Sequence, residues 1–500
     1  MKRGLRWAAL LALVGALSLA CGESSPNTLF QGESGSASAS AGATGGGGSG
    51  AVAVAGSGGA SGGSASSNTA GQSSVAGGGG SVDAAGSAGA AGLGGVGGAG
   101  GSAGAGGTAS TRSCDVTAYG AKGDGTTLNT KALQSAIDAC ATPTPGTVVV
   151  PKGSFLSGAL TLKPGANLLL QAGSALVASK NIADFPIGPS RFEGHFQDRP
   201  ASLLSGTKVD HLRITGPGML DGNGAAYWSQ NLPHGRPRLA FIRDSQDVVV
   251  SGVQFKNSPS WNLHLYNCQN VIVENSRFEI DAGADGPSTD GTDIDSCQDV
   301  TVRGCYYSVN DDCVVLKGNR YDGLNQSPAS PPVSNIHVTD CTFVRGKGAL
   351  SLGTEAQYVH DVEFDHSTVR GDFPTLRIKM RPDTSGQRYE KINVHDIQID
   401  GVDDILGWEL TRGTQISGTP PPAFISEITV ANISGKTAAF GNIAANATTD
   451  VSKILLKNIN VTLTTPTLLA TGVKQLTLEN VVVNGKAWSA TANNGQPGPL

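Results

Sequence analysis

The residues of this chain with the clearest capacity for chemistry are three aspartates. Asp290 lies in Ser288-Thr289-Asp290-Gly291, and the adjacent pair Asp311-Asp312 follows about 22 residues later, the length of one coil in a stacked solenoid. Equivalent positions on neighbouring coils are separated by the strand-pairing distance, roughly 4.8 Å, so these carboxylates are expected to crowd one patch of surface. Crowded carboxylates repel one another as ions, and their proton affinities are pushed apart. One can then stay protonated as an acid while another stays ionised as a base, the combination that glycoside hydrolysis requires. Aspartates in solenoid turns are otherwise commonly solvated or capping residues, and Asp293, Asp295 and Asp299 are expected to be of that kind.

Basic residues follow in order. Lys347 stands in Gly346-Lys347-Gly348 one coil on, and Arg377-Ile378-Lys379-Met380-Arg381 on the coil after that. In a strand, Arg377, Lys379 and Arg381 face one way and Ile378 and Met380 the other. A cationic row alone is compatible with a solvated face. Beside crowded carboxylates it points to a receptor for a negatively charged sugar.

Such residues need a scaffold that repeats. A polar residue, usually Asp, Asn or Lys, is followed by three residues whose first and third are apolar at Asp247-Val248-Val249-Val250, Asn270-Val271-Ile272-Val273, Asp299-Val300-Thr301-Val302 and Asn335-Ile336-His337-Val338. The pattern continues at Asp361-Val362-Glu363-Phe364, Lys391-Ile392-Asn393-Val394, Glu427-Ile428-Thr429-Val430, Lys453-Ile454-Leu455-Leu456 and Gln475-Leu476-Thr477-Leu478. Steps of about 22 to 36 residues between short β-branched units fit the strands of one solenoid, with the larger steps marking loops inserted at coil corners. Leucine-rich repeats would show a leucine lattice, which is absent, and propeller blades need about 40 residues each. Leu133, Ala136, Ile137 and Cys140 fall at helical spacing ahead of the strand Thr147 to Val150, as a helix covering the end of the stack would require. The expected fold is all-β: a single-stranded right-handed parallel β-helix with an N-terminal cap helix.

Composition along the 500 residues is uneven. Met1 to Ala20 has a basic start at Lys2, Arg3 and Arg6 and an uncharged apolar stretch, as a secretory signal peptide does. Ser18-Leu19-Ala20-Cys21 resembles a bacterial lipobox, which would lipidate Cys21 and tether the protein to the cell envelope; plain secretion is the alternative. Residues 21–111 are almost entirely Gly, Ser and Ala and cannot offset the entropy of ordering, so they are expected to form a disordered tether. The folded domain is then 112–500. Seven of the eight cysteines fall there, an odd number that leaves at least one thiol free. Cys268, Cys297, Cys305 and Cys341 sit beside β-like runs without zinc-ligand spacing and suit core packing. Cys114 and Cys140 are candidates for a clip at the cap, which sequence alone leaves open. A net charge of -5 carries no nucleic-acid signature.

In its ordered motifs the chain resembles glycoside hydrolase family 28, the polygalacturonase-like, pectin-degrading enzymes. The resemblance covers residues 112 to 490 and rests on Ser288-Thr289-Asp290-Gly291, Asn310-Asp311-Asp312-Cys313, Gly346-Lys347-Gly348 and Arg377-Ile378-Lys379. Val116 to Gly125, Asp221-Gly222-Asn223-Gly224 with Trp228, and Ser258 to His264 resemble further shared segments, the first of which occurs in several pectin-acting families. The resemblance implies an inverting hydrolase of pectic polyuronates that acts by single displacement. Asp311 would be its general acid, Asp290 and Asp312 would activate water, and Arg377 and Lys379 would bind the substrate carboxylate, with Ser288, Lys347 and Arg381 as further substrate contacts. It implies no cofactor and no metal, a monomer, and a pectic polysaccharide or oligosaccharide as partner.

Two positions depart from the family pattern: Ser288 replaces Asn, and Lys347 replaces His. A lysine is a donor only, with a reference pKa near 10.4, so Lys347 is expected to bring a fixed cation to the aspartates, an acidic activity optimum and a third ligand for a uronate. A pectate lyase working through calcium, and a non-catalytic glycan-binding surface protein on the same scaffold, are the competing readings. The choice between endo and exo action turns on the insertions Gly318 to Pro332 and Gly413 to Pro422, and galacturonan, rhamnogalacturonan and xylogalacturonan all remain open as substrates.

Overall fold

The computed structural model describes residues 112–320, 331–381, 384, 386–411, 422–489 and 498–499. The signal peptide, the tether and Cys21 therefore lie outside the described residues, as does most of each insertion. The described chain coils into a parallel β-helix with three ladders of strands. One runs through Gly146–Val150, Ala166–Leu170, Arg213–Thr215, Gln246–Ser251, Gln269–Glu274, Gln298–Arg303, Val333–Thr339 and Tyr358–Asp365. It continues into the long strands Arg388–Glu409, Ala423–Asn442 and Thr449–Leu463 and ends on Lys474–Val483.

The sequence repeat is this ladder's register. Val248, Val271, Val300, Ile336, Val362, Ile392, Ile428, Ile454 and Leu476 pair successively as direct neighbours. All of these but Leu476 are buried. The polar residue that opens each unit has a physical reason: it takes the left-handed conformation, with φ from 54° at Asp247 to 59° at Gln475. Asn and Asp tolerate this region best because their short side chains bond locally. Here they also bond between coils, as Asn335 Nδ2 does in donating to Asp299 Oδ1 at 2.6 Å.

A second ladder joins Leu160–Leu162, Leu204–Thr207, Ala240–Arg243, Leu263–Tyr266, Thr292–Asp295, Val314–Lys317, Leu350–Leu352 and Leu376–Lys379. The third includes Gln254–Lys256, Arg277–Glu279, Tyr306–Ser308 and Thr342–Arg345. Inside the coil it carries a column of stacked rings, Phe255 on Phe278 at 4.7 Å, Phe278 on Tyr307 at 4.8 Å and Tyr307 on Phe343 at 5.2 Å. All four are fully buried. Phe278→Ala empties the middle of this column and should cost about 3 to 5 kcal/mol, the usual loss for a large aromatic removed from a close-packed core. Urea unfolding with an unchanged slope would measure it.

The N-terminal end is covered by the helix Thr130–Ala139, whose Leu133, Ala136 and Ile137 are buried. A Cys114–Cys140 disulfide ties that helix to the first strand, which settles the pairing left open by sequence. Cys268, Cys297, Cys305, Cys313 and Cys341 are free and buried. The described residues depart from parallel coiling in two places: Ile187–Phe192 and His195–Pro200 form an antiparallel hairpin, and Lys486–Ser489 turns back antiparallel on Lys474–Val483 at the C-terminal end. In the hairpin, Arg191 is the residue that matters for the site: it is fully buried and reaches Asp295.

Candidate functional site

The second ladder explains how these side chains are aimed. Ile294, Leu316, Leu352 and Ile378 are in register and point into the core. The alternate positions therefore point outward, and Asp293, Val315, Ser351 and Arg377 form one row across the coils. Asp290, Asp311, Asp312 and Lys347 sit just ahead of these strands, where backbone bonds hold the turns against one another. Gly291 N–H donates to Asp312 O at 2.9 Å, Lys347 N–H to Asp311 O at 3.0 Å, and Asn262 N–H to Asp290 O at 2.9 Å. Gly348 is required by close approach, since a Cβ there would lie 2.4 Å from Ser351 Oγ and 3.0 Å from Arg377 Cβ.

The expected crowding is present: oxygens of Asp290, Asp311 and Asp312 lie within 4.8 Å of one another. The three differ in setting. Asp312 is fully buried. Its Oδ1 accepts from Ser351 Oγ at 2.7 Å and Arg377 Nη1 at 3.0 Å, and its Oδ2 from Lys379 Nζ. Burial opposes its charge, but Lys379 and Arg377 hold it well below the ordinary carboxylate range. Asp290 is also buried, and burial together with the Asp311 charge pushes it up to about 8. Asp311 is the most open of the three and pairs with Lys347 Nζ at 3.0 Å. Opposite environments on neighbouring carboxylates are how a site separates acid from base.

The basic row has the expected parity but is less exposed than a solvated face. Arg377 and Lys379 are buried at 7% and 5% exposure. Arg377 also bonds Glu409 Oε1 at 2.8 Å, and Arg381 Nη1 lies 3.3 Å from Glu355 Oε1. Ser288 stands in the left-handed region with φ of 55°, where the Asn of the family pattern is more comfortable.

Asp293 and Asp295 overturn the expectation of solvated turn residues. Both are buried, and over Asp295 the hairpin supplies cover through Arg191. Asp295 receives Arg191 Nε at 2.9 Å, with His264 Nε2 at 3.4 Å, and these partners outweigh burial to hold it low. Asp293 has no hydrogen bond on either oxygen, and burial raises it well above the usual range. Asp299 is half-buried within the strand Gln298–Arg303, at a left-handed position with φ of 57°, and accepts hydrogen bonds from Gln269 and Asn335 on the neighbouring coils.

Sequence reasoning also missed Lys317. Its ammonium is 3.8 Å from Asp290, 3.9 Å from Asp293 and 3.8 Å from Glu355. Burial works against its charge, yet Asp290, Glu355 and Asp293 hold it above the ordinary lysine range. Its register with Asp295 was the available signal.

A parallel β-helix with crowded carboxylates set among buried cations on its outer face defines a carbohydrate-active β-helix protein. The chain belongs to the glycosyl hydrolases family 28, a family of O-glycosyl hydrolases that it matches over residues 140–482. Among similar proteins, a probable polygalacturonase of Vitis vinifera is 34% identical over 218 residues, 41% of this chain and 44% of that one. The match thus spans less than half of that relative's length. An exo-poly-alpha-D-galacturonosidase of Dickeya chrysanthemi is 27% identical over 446 residues, covering 75% of this chain and 72% of its own. In fold, the chain is similar to an exopolygalacturonase from Thermotoga maritima, with a TM-score of 0.69, 23% identity and coverage of 78% of this chain and 95% of that one.

Proposed function

We propose that this protein hydrolyses α-glycosidic bonds of a pectin-type polyuronate, outside the cytoplasm, by single displacement with inversion. The observation that carries this is the contrast within one cluster. Asp312 is held ionised by two cations, Asp290 is pushed toward neutrality, and Asp311 stands open beside them. Burial and the Asp311 charge both disfavour ionised Asp290. In this reading Asp311 faces the leaving oxygen as the acid, and Asp290 joins Asp312 in activating water. Arg377, Lys379, Lys347, Arg381 and Ser288 would receive the uronate. In this proposal a leader at 1–20, a tether at 21–111 and lipidation at Cys21 hold the domain at the cell envelope.

The stereochemistry does not follow from carboxylate separation. Carboxyl groups of inverting enzymes usually stand about 6.5 to 9.5 Å apart and those of retaining enzymes about 5 to 5.5 Å, whereas here one oxygen of each aspartate lies within 4.8 Å of the others, which bounds the nearest atoms and not the groups. Exposure supports inversion instead. Both oxygens of Asp312 are engaged by Ser351, Arg377 and Lys379, and Asp290 is recessed at 3% exposure, so neither is free to bond an anomeric carbon. A water held between them is the better nucleophile. Following oligogalacturonide cleavage by proton NMR should show the β anomer at the new reducing end first. Early appearance of the α anomer would mean double displacement, and an unsaturated product would mean elimination.

Lys347 offers a second test. It lies 3.0 Å from Asp311 with 47% of its side chain exposed, so its effect is that of a partly screened ion pair, about 0.5 to 1 kcal/mol. Lys347→Met removes the cation paired with Asp311, and oligogalacturonide affinity should fall about two- to fivefold, the worth of such a pair. Lys347→His should do the same above neutral pH. If both variants keep the parental affinity, Lys347 has no part in binding.

A further inference from the structure

The first ladder carries a second cluster of ligating side chains, on a face of the coil built by different strands from those of the aspartates. Val333–Thr339, Tyr358–Asp365 and Arg388–Glu409 lie in register, so that His337 is opposite Glu363 and Asp365 is opposite His395. His366 follows in the next turn with φ of 45°. Two carboxylates and two imidazoles therefore meet on rigid strands, with a third imidazole in the adjoining turn.

Their geometry is that of a floor with an open mouth. Asp365 is 5% exposed, whereas the side chains of His337 and His366 are 44% and 61% exposed. His337 Nε2 lies 3.0 Å from Asp365 Oδ2, and His395 Nε2 lies 3.9 Å from the same oxygen and in contact with Glu363 Oε1. One ligand atom from each of Glu363, Asp365 and His395 lies within 4.8 Å of the other two. A zinc ion bound at about 2.0 to 2.1 Å spaces its tetrahedral ligands roughly 3.3 Å apart, so modest side-chain motion would close the set.

Two observations separate this cluster from ordinary surface ion pairs. Asp365 Oδ1 is buried with His366 Nδ1 as an ion-pair neighbour at 3.1 Å and no hydrogen bond of good geometry. Burying a carboxylate oxygen without a hydrogen bond is costly, and a cation in the mouth would satisfy it. His395 Nδ1 is engaged by Asp396 Oδ2 at 2.6 Å, which aims Nε2 at Glu363 and Asp365. That carboxylate–imidazole pair is the usual support behind a metal-ligating histidine, where it fixes the tautomer and raises the basicity of the other nitrogen.

We propose that Glu363, Asp365 and His395, with His337 or His366 completing the set, bind a divalent transition metal ion of the zinc type. Imidazole together with carboxylate favours such ions over calcium or magnesium, which prefer all-oxygen sites. The exposed mouth leaves a position for water and lets the ion exchange. Glycan hydrolysis by the aspartates does not depend on this ion.

Titration calorimetry with zinc chloride on the chelator-treated chain should show one saturable ion per chain. His395→Ala and Asp365→Asn should each weaken it at least tenfold, as expected when a ligand is removed from such a site. His395 is largely held by surface groups, so its variant tests the site even if Asp365→Asn destabilises the fold. Asp290→Asn should leave zinc binding unchanged. Absence of saturable binding, binding that survives His395→Ala, or binding lost only in Asp290→Asn would each overturn the proposal.

Discussion

Asp311→Asn should lower kcat on oligogalacturonide by at least about 100-fold, with KM and thermal stability near those of the parent. Asparagine keeps the size of the side chain but has no proton to deliver to the departing oxygen, and general acid catalysis commonly contributes about 10² to 10⁴ in rate. The fold should survive, because the partner left behind, Lys347, has 47% of its side chain exposed and regains water cheaply. A substrate that does not need the acid separates chemistry from structural damage. An aryl galacturonide with a stable phenolate leaving group should lose far less activity than the oligosaccharide. Equal loss on both substrates would make Asp311 structural, and unchanged turnover would remove it from the mechanism.

The scaffold was legible because one period governs it. Val248, Val271 and their successors must stack, and the polar residue before each must turn the chain, so the register is written in the sequence at every coil. The parity of Arg377 and Lys379 against Ile378 was legible for the same reason. What could not be read was the environment of outward-facing residues. Asp293 and Asp295 look like solvated aspartates in sequence, and over Asp295 it is a hairpin far away in the chain that folds across and delivers Arg191. Burial of a polar position on a solenoid depends on what covers the face, and no local pattern carries that. Lys317 and Glu355 were hidden for a related reason, since each is an isolated charge in sequence and acquires its partners only when coils stack. The second ladder also gives Arg377 and Lys379 a task that parity did not show, as both hold Asp312.

That double engagement sets the outcome for Lys379→Ala. Lys379 contacts Asp312 Oδ2 in a buried setting, so its removal leaves Asp312 with Arg377 and Ser351 alone. Breaking one side of a buried ion pair typically costs about 3 to 5 kcal/mol, and the remaining Arg377 should hold the loss toward the lower end. Asp312 is held low by Lys379 ahead of Arg377, against the effect of burial. Without Lys379 it binds its proton more tightly, and the base form is reached only at higher pH. The acid limb of the pH–rate profile should accordingly shift upward, and kcat at the parental optimum should fall about 100-fold or more. If Lys379 also receives the uronate, a second effect is superimposed: affinity should fall more for free-acid oligomers than for fully methyl-esterified ones, because only the former present a carboxylate to a missing cation. The two effects are separable in one variant. A shifted acid limb with equal loss of affinity for both substrates would confine Lys379 to holding Asp312. An unmoved limb with selective loss for the free acid would make it a substrate ligand alone. If neither the limb nor the selectivity changes, the buried pair with Asp312 has no part in turnover.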